Sequence, residues 1–121
     1  MAECIVVGNS GVSEGEIYTS GEINTEGTWI DGRAVYRLII NNVETQNFTV
    51  NLSQYITGTL DVLINLDAYI YNPSSDIGVM LSTQSTNNTY GTITKNTQTL
   101  TISNNYGGVI KWIILEYVKT D

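Results

Sequence analysis

The residues of this chain that could carry chemistry are carboxylates and aromatic rings, because its 121 residues include no histidine. Without histidine the chain lacks the commonest general base, the Ser-His and Cys-His nucleophile pairs, and every metal site that contains histidine. A pair of carboxylates could still hydrolyse glycosides, and the candidates are Asp61, Asp67 and Glu116. Asp61 and Asp67 alternate with apolar residues, which is typical of a solvated strand face. We therefore predict no catalytic residue and no enzyme.

The remaining polar residues do not have the spacing of a metal or phosphate site. Asp67, Asn72 and Asp76 lie close in sequence but lack the alternating oxygen ligands and the glycine of an EF-hand loop. Gly107-Gly108 lacks the sequence context of phosphate-binding loops. Cys4 is the single cysteine, which excludes an intramolecular disulfide, and we predict a buried or unreactive thiol. The sequence predicts neither a metal nor a cofactor.

Aromatic residues are the stronger candidates, since the chain has eight tyrosines and two tryptophans. Aromatic rings anchor protein interfaces and also stack on the apolar faces of sugars. Four tyrosines near predicted turns or at outward positions are predicted to contact a glycan or a protein: Tyr69, Tyr71, Tyr90 and Tyr106. Trp112 is predicted to be structural.

The charge composition argues against two classes of partner. Five Lys and Arg against twelve Asp and Glu give a formal net charge of -7, which repels nucleic acid and anionic membrane surfaces. We also see no signal peptide and no apolar run long enough for a transmembrane segment. The sequence therefore predicts neither nucleic acid nor a membrane as a partner.

Strands should position these residues, because apolar residues recur with a period of two and not at helical spacing. The clearest alternation runs over 47–53 and 60–71. In the second stretch every second residue from Leu60 to Ile70 lies on one face, and the strand is long enough that we expect it to bend at a bulge. Further strands are predicted at 33–40, 77–83 and 97–103. Turn residues such as Asn72-Pro73 separate them.

The last predicted strand, 109–119, is apolar on both faces at its centre. Ile110, Trp112 and Ile114 alternate with Ile113, Leu115 and Tyr117. Such a strand is either covered on both sides within the domain or packs its second face on another subunit.

Together these patterns predict an all-β fold, an antiparallel β-sandwich or jelly-roll-like barrel, with little helix. The first 26 residues are less patterned and rich in glycine, serine and glutamate. We therefore predict an N-terminal arm or short stem over 1–26 and one β-sandwich domain over 27–121.

Two segments resemble known sequence motifs. The stretch 28–37, Thr-Trp-Ile-Asp-Gly-Arg-Ala-Val-Tyr-Arg, resembles the W-I-D-G-K-P-I-Y-R segment that opens terminal domains of tailed-phage fibre and receptor-binding proteins. The stretch 113–121, Ile-Ile-Leu-Glu-Tyr-Val-Lys-Thr-Asp, is similar to the E-Y-T-K-T-D strand with which many of those domains finish. Arg33-Ala34 replaces the usual Lys-Pro, and the middle of the chain matches neither motif.

The resemblance implies a bacteriophage virion protein, made in the host cytoplasm, whose β-sandwich forms a homotrimer at a fibre tip. Its expected partners are other virion proteins and a host-surface glycan or protein. In this interpretation Trp29 anchors the core or a subunit interface, Asp31-Gly32 form a hairpin turn, and Tyr36 faces the core. The oligomer interface is predicted to include Trp29 with Ile113, Leu115 and Tyr117, and recognition is expected in the middle of the chain.

Two other assignments are compatible with the sequence. Only a short segment precedes the first motif, which favours a small virion component such as a capsid-decoration, head-fibre or tail accessory protein without receptor binding. A non-viral carbohydrate-binding module is the alternative from another class.

Overall fold

The part of the fold that the structure describes is built from β-strands with two short 3₁₀ turns. The computed structural model describes residues 20–83 and 89–120, and within them it has eight strands and no α-helix. The strands are β1 (Gly21–Thr28), β2 (Ala34–Thr45), β3 (Phe48–Asn51), β4 (Leu60–Asn72), β5 (Ile77–Met80), β6 (Tyr90–Thr94), β7 (Thr99–Ser103) and β8 (Val109–Lys119). They form two open antiparallel sheets, so the prediction of an all-β sandwich is confirmed. The described strands do not close into a barrel.

The last strand lies at the centre of the larger sheet. That sheet has five strands in the order β1-β2-β8-β4-β5, and the smaller one has three in the order β3-β7-β6. Because β8 is hydrogen-bonded to β2 on one side and β4 on the other, both edges of its backbone are satisfied within the chain.

The core lies between the two sheets and receives alternate residues from each. Leu38 of β2 and Ile113 and Leu115 of β8 meet Leu100 and Ile102 of β7, and all five are fully buried. Alternation in β2 and β7 therefore agrees with the faces predicted from the sequence. Each fully buried Leu or Ile stabilises the fold by about 1.5–3 kcal/mol relative to an exposed position.

Bulges interrupt the alternation in β4 and β8. The pairing of β4 with β8 shifts register between Leu60 and Val62 and again between Leu63 and Asn65, which confirms the expected bulge. An extra residue turns the following side chains to the opposite face, so Leu63 and not Ile64 shares the face of Leu66.

A third shift leaves Lys111 as an extra residue in β8. It moves Ile110 into the core, whereas the sequence pattern predicted that Ile110 shares a face with Trp112. The core face of β8 consequently holds Ile110 as well as Ile113.

Residues 21–26, predicted to be part of the N-terminal arm, instead form most of β1, which pairs with β2. The remainder of the predicted arm, with Cys4, lies outside the described residues.

The turn that joins β1 to β2 is the predicted Asp31-Gly32 turn, but its loop has three residues, which lie between the hydrogen-bonded Trp29 and Arg33. Gly32 donates its N–H to the Trp29 carbonyl at 2.9 Å, and Trp29 donates to the Arg33 carbonyl at 2.8 Å. Gly32 has a φ of 91°, which glycine adopts at low cost.

Candidate functional site: the outer face of the larger sheet

The outer face of the five-stranded sheet, which points away from the core, carries four rows of side chains that run across the strands. The strand register defines each row through directly opposite residues. The first row is Ile23, Arg37, Glu116 and Asn65; the second is Gly21, Ile39, Ile114 and Asp67; the third, which we call the aromatic row, is Asn41, Trp112, Tyr69 and Met80; the fourth is Val109, Tyr71 and Gly78.

Trp112 and Tyr69 form the centre of the aromatic row. Their rings stack with centroids 5.9 Å apart and an angle of 20° between the planes. Tyr69 lies against Gly78 of β5, since a Cβ atom at Gly78 would be only 2.0 Å from the Tyr69 hydroxyl. Glycine at this position therefore lets the ring lie flat over the edge strand, and the edge gains an aromatic cover.

A hollow borders the aromatic row. Its volume is about 330 Å³, and its lining consists of Ile39, Asn65, Asp67, Met80, Trp112 and Ile114. Ile39 and Ile114 belong to the second row and form an apolar floor. Asp67 is committed to structure: one of its carboxylate oxygens accepts from the Ser82 N–H at 3.0 Å and the other from the Ser82 hydroxyl at 2.9 Å. The hollow is thus shaped for apolar atoms.

Arg37 and Glu116 neutralise each other within the first row. The Arg37 Nε and Nη2 atoms donate to one Glu116 oxygen at 3.0 and 2.9 Å. The Arg37 side chain is 8% exposed and that of Glu116 is 27% exposed. Removal of either side chain would leave the other as a poorly solvated charge, which would destabilise the fold. Asp67 is then the one remaining net charge in the four rows, although the whole chain carries -7.

The two motif segments form one unit at the β2–β8 pairing. Tyr36 lies opposite Tyr117 and Arg37 opposite Glu116. The tyrosine rings stack at 6.1 Å, and Arg33 donates to the Lys119 carbonyl at 2.8 Å. The predicted core-facing position of Tyr36 agrees with this arrangement, because Tyr36 packs against the core cluster.

A charged cluster closes this unit on the inner face. The Lys119 Nζ atom lies 4.0 Å from the centre of the Tyr36 ring and 2.9 Å from a Glu22 carboxylate oxygen. The Tyr117 hydroxyl donates to Glu22 as well. Burial raises the pKa of Tyr117 well above its ordinary range, and the hydrogen bond to Glu22 acts in the same direction. Tyr117 therefore stays protonated at neutral pH and serves as a donor to Glu22.

The four tyrosines predicted to contact a ligand do not form one site. Tyr69 and Tyr71 are on the outer face, where the Tyr71 hydroxyl donates to Asp76 and that bond raises the Tyr71 pKa. Tyr90 is 53% exposed on β6, in the smaller sheet. Tyr106 packs against the core cluster. The structure thus brings together Tyr69 and Tyr71 alone, next to Trp112.

Three of the four predicted interface residues lie in the core. Ile113, Leu115 and Tyr117 are 0% exposed between the two sheets, so they cannot contact another subunit. The sequence identified a strand with two apolar faces but assigned the wrong face to the outside. Trp29 is half-buried in the β1–β2 loop. The outward residues at the centre of β8 are Trp112, Ile114 and Glu116.

The three candidate carboxylates are held by other side chains and backbone groups. Asp61 accepts from Lys95 at 3.1 Å and from Arg33 at 2.9 Å, and these hydrogen bonds lower its pKa. Glu116 is paired with Arg37, and Asp67 with Ser82. Among residues 20–83 and 89–120, no three carboxylate or cysteine side chains are grouped as metal ligands would be.

Ile39, Ile114 and Met80 were not among the predicted site residues. The available signal was the second apolar face of β8 together with the apolar residues that share a face with Arg37. Strand order was needed to combine them, because β2, β8 and β4 are far apart in sequence yet adjacent in the sheet.

Comparisons with known proteins add no assignment: no family model, curated protein or solved structure matches the chain. In the part of the chain that the structure describes, none of the elements is a helix of the length and apolar character needed to cross a membrane.

Proposed function

We propose that this chain is a structural protein of a tailed-phage virion, of the fibre-tip or receptor-binding type. In this proposal it assembles as a homotrimer with other virion proteins and contacts a host-surface glycan or protein. The observation that carries the proposal is that the two motif segments are adjacent strands joined by matched side chains. The opening segment supplies Arg33, Tyr36 and Arg37, and the final segment supplies Glu116, Tyr117 and Lys119.

This pairing supports treating the two motifs as one feature. Residues 28–37 and 113–121 are separated by most of the chain, and similarity at two such places could arise independently. Their side chains instead depend on each other through one ion pair and one ring stack. The unmatched middle of the chain supplies β3 to β7, and in this proposal recognition of the receptor belongs to that region.

One observation favours the carbohydrate-binding module as the second candidate. The stacked Tyr69 and Trp112 rings lie on an outer sheet face, and aromatic rings on such faces can bind the apolar faces of sugars. Two features of the adjacent hollow argue against a carbohydrate-binding module. Its floor is apolar, and its carboxylate, Asp67, already accepts a hydrogen bond from Ser82.

Immunogold labelling of phage particles with antibodies against the purified chain tests the proposal. We expect label at fibre or tail tips, and we expect an excess of the purified protein to reduce adsorption of the phage to its host. Label on the capsid, without an effect on adsorption, would instead support a decoration or head-fibre protein. Unlabelled particles together with specific binding on a glycan array would replace the virion assignment with a carbohydrate-binding module.

A further inference from the structure

We infer, on the basis of the proposed homo-oligomer, that the outer face of the five-stranded sheet is the surface through which copies of this chain bind each other. The aromatic row of one copy would lie in the hollow of the next. Trp112 and Tyr69 are the inserting side chains, and Ile39 and Ile114 are the floor that receives them.

The chemistry of the face favours an apolar protein surface over a polar ligand. Its hollow of about 330 Å³ is at the small end of ligand pockets, and its floor is two isoleucines. A sugar would need several polar groups directed at it, but Asp67 already accepts from Ser82 and from the Ala68 N–H at 2.9 Å. Aromatic and aliphatic side chains at the centre of a desolvated patch are typical of interface hot spots.

The charge distribution favours a second copy over an acidic or basic partner. Copies that each carry -7 repel one another at long range, so self-association needs a surface free of excess charge. On this face Arg37 and Glu116 form an internal ion pair at 2.9 Å. Asp67 is then the one net charge that each copy brings to the contact, and its carboxylate is held by Ser82. Two copies can therefore approach here with less repulsion than their total charge of -7 would give.

The shape of the face allows the contact to close. The aromatic row and the hollow are side by side, because the residues of both belong to consecutive rows. Each copy can offer its row to one neighbour and its hollow to the other, which is a heterologous contact, and such contacts form a ring where the rotation between copies closes. A ring of three satisfies both surfaces of each copy and agrees with the proposed trimer.

The area of the outer face indicates how strongly copies of the chain should associate. Five strands about 4.8 Å apart and four rows about 6.7 Å apart cover roughly 20 by 20 Å. That is about half of the ~800 Å² per partner that is usual for a stable interface. We therefore expect the assembly to depend on protein concentration within an experimentally accessible range.

The test compares Ile114 variants with a charge-matched control. Ile114→Glu places a charge on the floor of the hollow, and Ile114→Thr removes apolar surface while it keeps a β-branched strand residue. Thr92→Glu adds the same charge at an exposed position of β6, in the other sheet. Sedimentation velocity over a concentration series gives the assembly state, and circular dichroism shows that each variant is folded.

We expect the unmodified chain and Thr92→Glu to form the same oligomer, with a mass of three chains. Both Ile114 variants should weaken association by about tenfold or more, equivalent to 1.4 kcal/mol. A folded Ile114→Thr that keeps the unmodified association constant would overturn the interface while leaving the proposed homo-oligomer intact. An unmodified chain that stays monomeric throughout would overturn both.

A cross-linking measurement identifies other occupants of the hollow. Ile114→Cys offers Cys4 a disulfide partner, and Thr92→Cys is the matched control. A disulfide within a single chain in Ile114→Cys, absent from Thr92→Cys, would show that the residues before Gly21 cover the face, which contradicts the self-contact. Loss of glycan binding in Ile114→Thr without a change in oligomer mass would contradict it as well.

Discussion

A buried amide, Gln98, joins the smaller sheet to the larger one. Gln98 is 8% exposed, and its side-chain oxygen accepts from the Leu60 N–H at 2.6 Å. Its amide nitrogen donates to the Ser53 hydroxyl at 3.0 Å, while its backbone carbonyl accepts from Leu52 at 2.8 Å. Buried polar groups of this kind are stabilising only while each partner is present.

Removing this amide should therefore destabilise the fold through the groups that it leaves behind. Gln98→Ala deprives the Leu60 N–H of its acceptor in a buried place, and we expect the free energy of unfolding to fall by about 1–3 kcal/mol. Gln54→Ala, at an exposed position, is the control and should change it by less than about 0.5 kcal/mol. Urea unfolding at one fixed protein concentration measures both, and equal effects would contradict the role assigned to Gln98.

At the scale of elements, β2 and β8 are coupled through the Arg37–Glu116 pair. Because the Arg37 side chain is only 8% exposed, this pair should be stronger than an ordinary surface ion pair. In a double-mutant cycle with Arg37→Met and Glu116→Gln we expect a coupling energy of about 1–2 kcal/mol. The exposed Lys111–Glu44 pair, at 2.9 Å, is the matched comparison and should give less than about 0.5 kcal/mol. Similar couplings for both pairs would show that burial of Arg37 has no energetic effect.

Asp61 connects three elements, since it is on β4 and accepts from Arg33 beside β2 and from Lys95 beyond β6. Hydrogen bonds from Lys95 and Arg33 lower its pKa in the folded chain. A carboxylate with a lowered folded pKa contributes stability above its unfolded pKa of about 3.9, and that contribution is lost as the pH falls through the folded value.

Asp61→Asn should therefore be less stable than the unmodified chain at neutral pH and should lose less stability on acidification between about pH 5 and pH 2. Urea unfolding along a pH series measures the two slopes. High salt should reduce the difference, because these side chains are partly exposed and salt screens them. Parallel curves for the two proteins would exclude Asp61 as a source of the acid response.

Sequence alternation predicted the bounds of β4 and β8, although bulges interrupt their pairing, and it missed β1 and β6. The strand at 60–71 and the last strand at 109–119 were predicted almost to the residue, because a long run of apolar alternation is uncommon outside strands. The stretches predicted at 47–53 and 77–83 shorten to β3 and β5, and each ends in a 3₁₀ turn.

Two strands were missed for local reasons. In β1 the register shifts between Asn24 and Thr28, and Glu26 has a φ of 72°, so its period of two is broken. In β6 the two inward positions are Gly91 and Ile93. A Cβ atom at Gly91 would lie 2.8 Å from Leu66, so the core has no room there for the second apolar residue that would have revealed a strand.

The outer face could be predicted only in part. The second apolar face of β8 was visible in the sequence, but an extra residue at Lys111 changed which residues belong to it. One inserted residue exchanges the two faces of a strand, and the sequence does not mark its position. The hollow also requires β2 and β4 as neighbours of β8, which is a property of the topology.

At the scale of the whole molecule, the core joins strands that are distant in sequence. Its buried members run from Leu38 to Tyr117, and the central strand β8 contributes Ile110, Ile113, Leu115 and Tyr117. A fold that is completed by its last strand should form as a unit, because the larger sheet has no centre until β8 pairs with β2 and β4.

Two truncations test this dependence. A chain that starts at Ser20 retains every member of the core cluster, so we expect a cooperative urea transition with an m-value close to that of the full chain. A chain that ends at Gly108 lacks β8, so we expect no cooperative transition and the circular dichroism of an unfolded chain. Loss of the transition in the first truncation would show that residues 1–19 belong to the folding unit. A cooperative transition in the second would show that the remaining strands form a core without β8, which the strand order opposes.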